Sequence, residues 1–255
     1  MSTALFPVTP STLVKQLKHV LRSKLVPIVK SAPGVGKSSV IQQLADDAGL
    51  EVIDVRLSQV DSPELNGYPD LKGGIARYVP FDIFPTTNTP IPAGKKGWLL
   101  FLDEATSAPR HVLAAAYKLV LDRKVGPHSL HPNCFIVLAG NRKEDRAITV
   151  EMGSAMQSRL IHFDLESSLK DWSNWASNAG IDSRVIGFLN FAPNMLNQFN
   201  PDLVGETYAC ERTWEFLSRI VTGQSQADLE DLLPAMAGAV GPGAMTEFMN
   251  FVRLS

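Results

Sequence analysis

The residues best suited to chemistry are Pro33-Gly34-Val35-Gly36-Lys37-Ser38-Ser39, directly after the apolar run Leu25-Val-Pro-Ile-Val29. Gly34 and Gly36 allow the backbone to turn its N–H groups toward an anion with no Cβ in the way. Lys37 offers an ammonium to the β- and γ-phosphates of a nucleotide, and the Ser38 hydroxyl can ligate Mg²⁺. A helix over about Ser38–Ala48 would aim its positive N-terminus at the same phosphates. The pattern departs from G-x-x-x-x-G-K-[ST] at Ser31, which stands where the first glycine would be. The essential turn belongs to Gly34 and Gly36, so the spacing still reads as a phosphate cradle rather than an ordinary Gly/Pro turn.

A second motif is Trp98-Leu-Leu-Phe-Leu-Asp103-Glu104, an apolar strand ending in two acids. At the end of a parallel strand beside the loop, Asp103 would hold Mg²⁺, directly or through water. Glu104 would be the base or orienting group for an attacking water. A third is Phe135-Ile-Val-Leu-Ala-Gly-Asn141, whose terminal Asn can hydrogen-bond that water or the γ-phosphate. A fourth is Ser154-Ala-Met-Gln-Ser-Arg159, just before another apolar run. An Arg there can neutralise transition-state charge in a neighbouring subunit, or simply sit on the surface.

Other residues fit quieter roles. His128 and His131 lack Cys or acidic partners at metal spacing and read as turn residues. Trp172, Trp175 and Trp214 fall at helical spacing on apolar faces and read as core. Asn141-Arg-Lys-Glu144 differs from the guanine-reading pattern N-K-x-D at its Lys and Asp positions, which favours adenine.

These groups need a scaffold. Five continuous apolar runs, Leu25–Lys30, Glu51–Val55, Trp98–Leu102, Cys134–Gly140 and Leu160–Leu165, predict buried parallel strands. Helical patterns over Thr12–Ser23, Ser39–Ala48 and Ala108–Asp122 alternate with them, which predicts an α/β fold with helices on both faces of the sheet. Two insertions read as hairpins: one turning at Lys72-Gly73-Gly74 with Ile75–Val79 as its second strand, and one over Arg123–Asn133 with Gly126-Pro127 near its tip. Past about Glu166 the pattern is helical only: Lys170–Asn178, Ser183–Asn190, Thr213–Thr222, Ala227–Ala239 and Ala244–Leu254. The pattern divides the chain into a nucleotide-binding domain over 1–165 and a small helical domain over 166–255.

At 255 residues the chain can bury a sizeable core. A net charge of −2 gives no electrostatic case for nucleic acid. Two unpaired-looking cysteines, Cys134 and Cys210, indicate a reducing compartment. No run approaches the length of a membrane span and no signal-peptide core is visible, so the cytoplasm is the default location.

The order of loop, Asp-Glu, strand-end Asn, Ser-Arg and helical region resembles that of AAA+ ATPases over nearly the whole chain. Ser31-Ala-Pro-Gly-Val-Gly-Lys-Ser, Asp54-Val-Arg-Leu-Ser, Leu102-Asp-Glu-Ala, Ala139-Gly-Asn-Arg and Glu211-Arg-Thr-Trp-Glu resemble the MoxR group and its dynein-related neighbours. The resemblance implies a five-stranded parallel sheet in the order 5-1-4-3-2 with a helical lid. It implies a Walker A motif over Pro33–Ser39, in which Lys37 and Ser38 act, and a Walker B motif at Asp103 and Glu104. Asn141 would be sensor 1, Arg159 a finger supplied in trans, and Arg212 the sensor 2 Arg. Arg142 and Arg146 remain alternatives for the trans role. Glu211 departs from the family, which more often has Pro there. The two hairpins match the group's pore-facing insertions.

The resemblance further implies a Mg²⁺-dependent ATPase working as a homo-oligomer, a hexamer, that remodels or activates a protein partner. The adaptor would carry a von Willebrand factor A domain. A DNA-directed AAA+ motor or loader, and a nucleotide-binding subunit with little catalysis, are the alternatives.

Overall fold

The computed structural model describes residues 6–145, 150, 152–202 and 207–254. The chain forms two compact units. One comprises the N-terminal stretch through Pro7, Thr12–Ser31 and Lys37–Asp164; the other comprises Val8–Ser11, Ala32–Gly36 and Leu165–Ser255.

The first unit is built on a sheet of β1 (Pro7–Val8), β2 (Val26–Ser31), β3 (Leu50–Arg56), β6 (Gly97–Asp103), β9 (Cys134–Asn141) and β10 (Leu160–Leu165). Their order is β1-β10-β2-β9-β6-β3. The pairs β10·β2, β2·β9, β9·β6 and β6·β3 are all parallel. The five strands expected from sequence lie in the order 5-1-4-3-2. The sheet has six strands because Pro7–Val8 adds one at its edge, a pair of residues too short to show periodicity.

The helices of this unit are α1 (Pro10–Arg22, which begins in the second unit), α2 (Lys37–Ala48), α3 (Ser62–Asn66), α4 (Arg110–Asp122) and α5 (Ser154–Gln157). Amphipathic spacing explains α1, which buries Leu13, Val14, Leu17 and Leu21. Strand β6 is buried along its apolar length, and Leu100, Leu102, Ile136, Leu138, Val112 and Leu119 share one core.

The insertions form hairpins where expected. β4 (Tyr68–Lys72) pairs antiparallel with β5 (Ile75–Val79), and β7 (Lys124–Val125) with β8 (His128–Ser129). His128 Nε2 donates to the Tyr78 carbonyl at 2.7 Å, tying one hairpin to the other. His131 Nδ1 accepts from the Asn133 N–H at 3.0 Å, a turn role. Leu71, Ile75 and Tyr78 are exposed on the first hairpin.

The second unit has its own core around Trp172, Phe188, Trp214, Leu217, Met236 and Phe248. It contains α6 (Leu169–Asn178), α7 (Ser183–Phe191), α8 (Glu211–Val221), α9 (Asp228–Asp231), α10 (Leu233–Val240) and α11 (Pro242–Leu254). Two sequence expectations are corrected here. The helix expected over Ala227–Ala239 is two helices parted at Leu232, since Pro234 lacks an N–H and suits only a first turn. The last helix starts at Pro242 rather than Ala244: Gly241, at φ +90°, does the breaking, and Pro242 is tolerated at the helix start.

Candidate functional site

Because the strands run parallel, the C-terminal ends of β2, β9, β6 and β3 share one edge of the sheet, where open α/β sheets bind ligands. Ser31 lies opposite Asn141, and Arg56 opposite Asp103. Helix α2 begins at Lys37, immediately after the glycine-rich turn.

Gly34 and Gly36 sit at φ +84° and +93°, a region L-residues rarely adopt. That conformation is what a backbone phosphate cradle requires, so the loop fits a polyphosphate. Within the second unit the Arg212 N–H donates to the Gly34 carbonyl at 3.3 Å. A Cβ at Gly34 would run into Cys210 Sγ.

In the first unit Lys37 Nζ donates to Ser31 Oγ at 2.9 Å and to Asn141 Oδ1 at 3.2 Å. Ser31 is fully buried. Its hydroxyl therefore tethers the lysine, a function no glycine at that position could supply. Asn141 is itself fixed: its N–H donates to Thr106 Oγ1 at 2.9 Å. Thr106 is buried in a short 3-10 turn, Ala105–Ser107, that directly follows the two acids.

The acids occupy the end of β6. Asp103 Oδ1 accepts from the Glu104 N–H at 2.7 Å. Glu104 has φ +55°, ψ +28°, a left-handed conformation that is strained for a side chain of its size. Ser58 Oγ donates to Glu104 Oε2. Burial, Asp103 and Glu104 push the Asp54 carboxyl up, with Arg56 pulling against them. A cation at this edge would relieve that crowding. Ser38, exposed in the first turn of α2, and Asp103 are the residues that could hold Mg²⁺.

The candidate arginines separate. Arg142 Nε donates to Asp164 Oδ1 at 2.5 Å, so that side chain is engaged inside its own unit. Arg159 is exposed and its Nη1 donates to the Ala155 carbonyl at 2.8 Å. Arg146 lies outside the described residues. Sequence reading passed over Ser58 and Thr106 and took Ser31 for a mild departure. The signal that could have found Ser31 was the departure itself, a hydroxyl within a lysine's length of Lys37. Ser58 closes the Asp54-Val-Arg-Leu-Ser stretch, which carries the resemblance but not this contact, and nothing in the local pattern marks Thr106.

Fold and site together define an α/β protein with a parallel sheet and a glycine-rich loop between a strand and a helix. No family model matches this chain, and no curated protein does either. Among solved structures it is similar to a Cytophaga hutchinsonii protein described as an ATPase. That match has 15% identity and a TM-score of 0.48, and covers 94% of this chain and 68% of the other. It is also similar to two variants of Thermotoga maritima RuvB. One has 15% identity and a TM-score of 0.47, covering 95% of this chain and 70% of the other. The second has 14% identity and a TM-score of 0.44, covering 98% and 75%.

Proposed function

We propose that this chain is an AAA+ ATPase of MoxR-like type, which works as a ring oligomer, a hexamer, to remodel or activate a protein partner. The observation that carries the reading is the convergence on one lysine. Lys37 sits at the start of a helix behind a glycine-rich turn and is held by Ser31 and Asn141, with Asp103-Glu104 ending a strand of the same sheet edge.

In this reading the N–H groups of Gly34–Ser39, in the loop that Pro33 opens, and the Lys37 ammonium bind the phosphates of ATP. Ser38 and Asp103 would hold Mg²⁺, which would supply charge neutralisation to the phosphates. Glu104 orients and deprotonates water, and Asn141 hydrogen-bonds at the γ-phosphate end. Arg159, exposed on its own subunit, is offered to the site of a neighbour. Arg212 reports nucleotide state to the lid, where its backbone already meets Gly34.

The exposed apolar side chains of the β4–β5 hairpin support a polypeptide partner rather than nucleic acid. An adaptor with a von Willebrand factor A domain accords with the MoxR resemblance. Cytoplasm accords with two free, buried cysteines. No helix among the described residues is long and apolar enough to cross a membrane.

The test is titration of the purified chain with a fluorescent ATP analogue, with phosphate release measured with and without Mg²⁺ over a range of protein concentrations. Saturable binding, Mg²⁺-dependent release and a rate per subunit that rises with concentration are expected. No binding by the wild-type chain would overturn the reading.

A further inference from the structure

Arg159 leaves the chain from the short turn Ser158-Arg159, which joins α5 to β10. Helix α5 is a single turn of four residues, Ser154–Gln157, too short to be stable by itself. Whatever holds α5 therefore decides where the Arg159 side chain starts. On one side Met156 is buried in the core of the first unit. A Cβ at Gly153 would run into Tyr117 Oη, so the chain enters α5 tight against α4.

The last carbonyls of a helix lack intrahelical partners, and here each has a donor. The Ser154 carbonyl accepts from the Ser158 N–H at 3.0 Å, and the Met156 carbonyl from the Arg159 N–H at 3.0 Å. The Ala155 carbonyl accepts from Ser158 Oγ at 3.2 Å and from Arg159 Nη1 at 2.8 Å. Gln157 is held twice. Its side-chain Nε2 donates to the Met152 carbonyl at 2.8 Å, and its own carbonyl meets His162 Nε2 at 2.9 Å. A carbonyl only accepts, so the imidazole carries a proton on Nε2.

The bond from His162 differs from the others, which all run within residues 152–159. His162 lies in β10, opposite Ile28 of β2, and β10 is bordered by strands on both sides. Alternation along the strand puts His162 on the face of Leu160, which shares a core with Met156. The end of α5 is thus tied to the sheet by one imidazole. The Arg159 guanidinium, by contrast, is exposed and rests on a neutral carbonyl. A phosphate oxygen offers it a stronger, charge-assisted bond, so it is ready to exchange.

We propose that His162 is a positioning residue for Arg159. By holding the Gln157 carbonyl it sets the point and direction from which the guanidinium reaches the phosphates bound by a neighbouring subunit. The proposal rests on the reading of Arg159 as acting in trans. His162 touches no reacting group. Its effect passes through Arg159, whose planar fork is demanding in direction, and a misplacement of about 1 Å costs about hundredfold in rate. No local pattern marks His162 for this role, because the contact exists only once the turn folds back on β10.

The experiment measures ATP hydrolysis in mixtures of full-length subunits, with mixed assembly checked by size-exclusion chromatography and light scattering. Arg159→Ala subunits keep the loop lysine and lack the arginine. Lys37→Ala subunits keep the arginine and lack the loop lysine, so activity in the mixture requires them to lend Arg159 to their neighbours. His162→Phe, which keeps a ring and removes the donor, is then added to the Lys37→Ala subunit, which has no working site of its own to damage. Rescue is expected to fall about ten- to hundredfold, in kcat with KM unchanged. His162→Gln in the same place keeps an N–H donor and should restore most of it. His162→Ala replaces His162→Phe where the larger ring prevents assembly.

Undiminished rescue by subunits without the donor would overturn the proposal, and so would an equal loss with His162→Gln. In both cases rescue of Arg159→Ala by Lys37→Ala leaves the trans reading standing. Absence of that rescue in assemblies shown to be mixed would overturn the trans reading and the proposal with it.

Discussion

Lys37 Nζ and Asn141 Oδ1 meet at 3.2 Å, joining the first residue of α2 to the last residue of β9 across 104 positions of sequence. The pairing makes the lysine's position depend on the strand beside it as well as on its own loop. Lys37→Ala is expected to weaken ATP binding by about a hundredfold, since the charge-assisted contacts to phosphate are lost. Asn141→Ala is expected to slow hydrolysis while changing affinity much less. Titration with labelled nucleotide separates the two, and equal affinity loss in both would make Asn141 a support for the lysine only.

Glu104 is held by Ser58 in a left-handed backbone conformation. Glu104→Gln is expected to retain ATP and to hydrolyse it about 10²–10⁴-fold more slowly. Ser58→Ala should lower turnover by about tenfold at unchanged affinity, because the carboxylate loses its orienting donor. The double variant should be no slower than Glu104→Gln alone. Single-turnover phosphate release reads all three, and additive losses would separate Ser58 from Glu104.

Arg159 is the exposed candidate for action on a neighbour, while Arg142 is engaged by Asp164. Arg159→Ala is expected to bind ATP yet hydrolyse it about 10³–10⁵-fold more slowly, as removal of an arginine finger does. Mixing it with Lys37→Ala subunits should restore part of the rate, since mixed interfaces pair an intact loop with an intact Arg. Absence of rescue in assemblies shown to be mixed returns Arg159 to an ordinary surface role.

Thr106 accepts the Asn141 N–H from a buried position, and a Cβ at Gly140 would collide with its hydroxyl. Thr106→Val leaves that N–H unpaired and is expected to destabilise the chain by about 1–3 kcal/mol. Thr106→Ser, which keeps the acceptor, should recover most of it. Urea melts of the three proteins check this, and a Val variant as stable as wild type would show the N–H to be satisfied otherwise.

Stability should also depend on pH through Glu211. Burial raises its folded pKa above its unfolded value. The folded state then binds more protons between the two, so this group's contribution falls as pH rises through the folded pKa. Glu211→Gln removes that loss. Its melting temperature relative to wild type should therefore be higher at pH 8 than at pH 4. Parallel wild-type and variant profiles across that range would mean the carboxyl is better solvated than its burial implies.

Sequence by itself determined the parts set by local chemistry. A glycine-rich turn between an apolar run and a helix needs no partner to be recognised, nor do two acids closing an apolar strand or a Gly-Gly turn between hairpin strands. The break at Leu232 was less legible, because the apolar pattern continues through it and only Pro234 marks the restart.

Tertiary structure decided the rest. The lysine has a serine tether because β2 ends at Ser31 beside the turn. Glu104 meets Ser58 because β3 and β6 pair in register, which brings residues 46 apart within reach. Val8–Ser11 and Ala32–Gly36 join the second unit because their hydrogen bonds run to Glu166, Asp171 and Arg212. Local propensity is encoded within a few residues. Contacts such as these exist only once strand register and helix packing have fixed where distant side chains end.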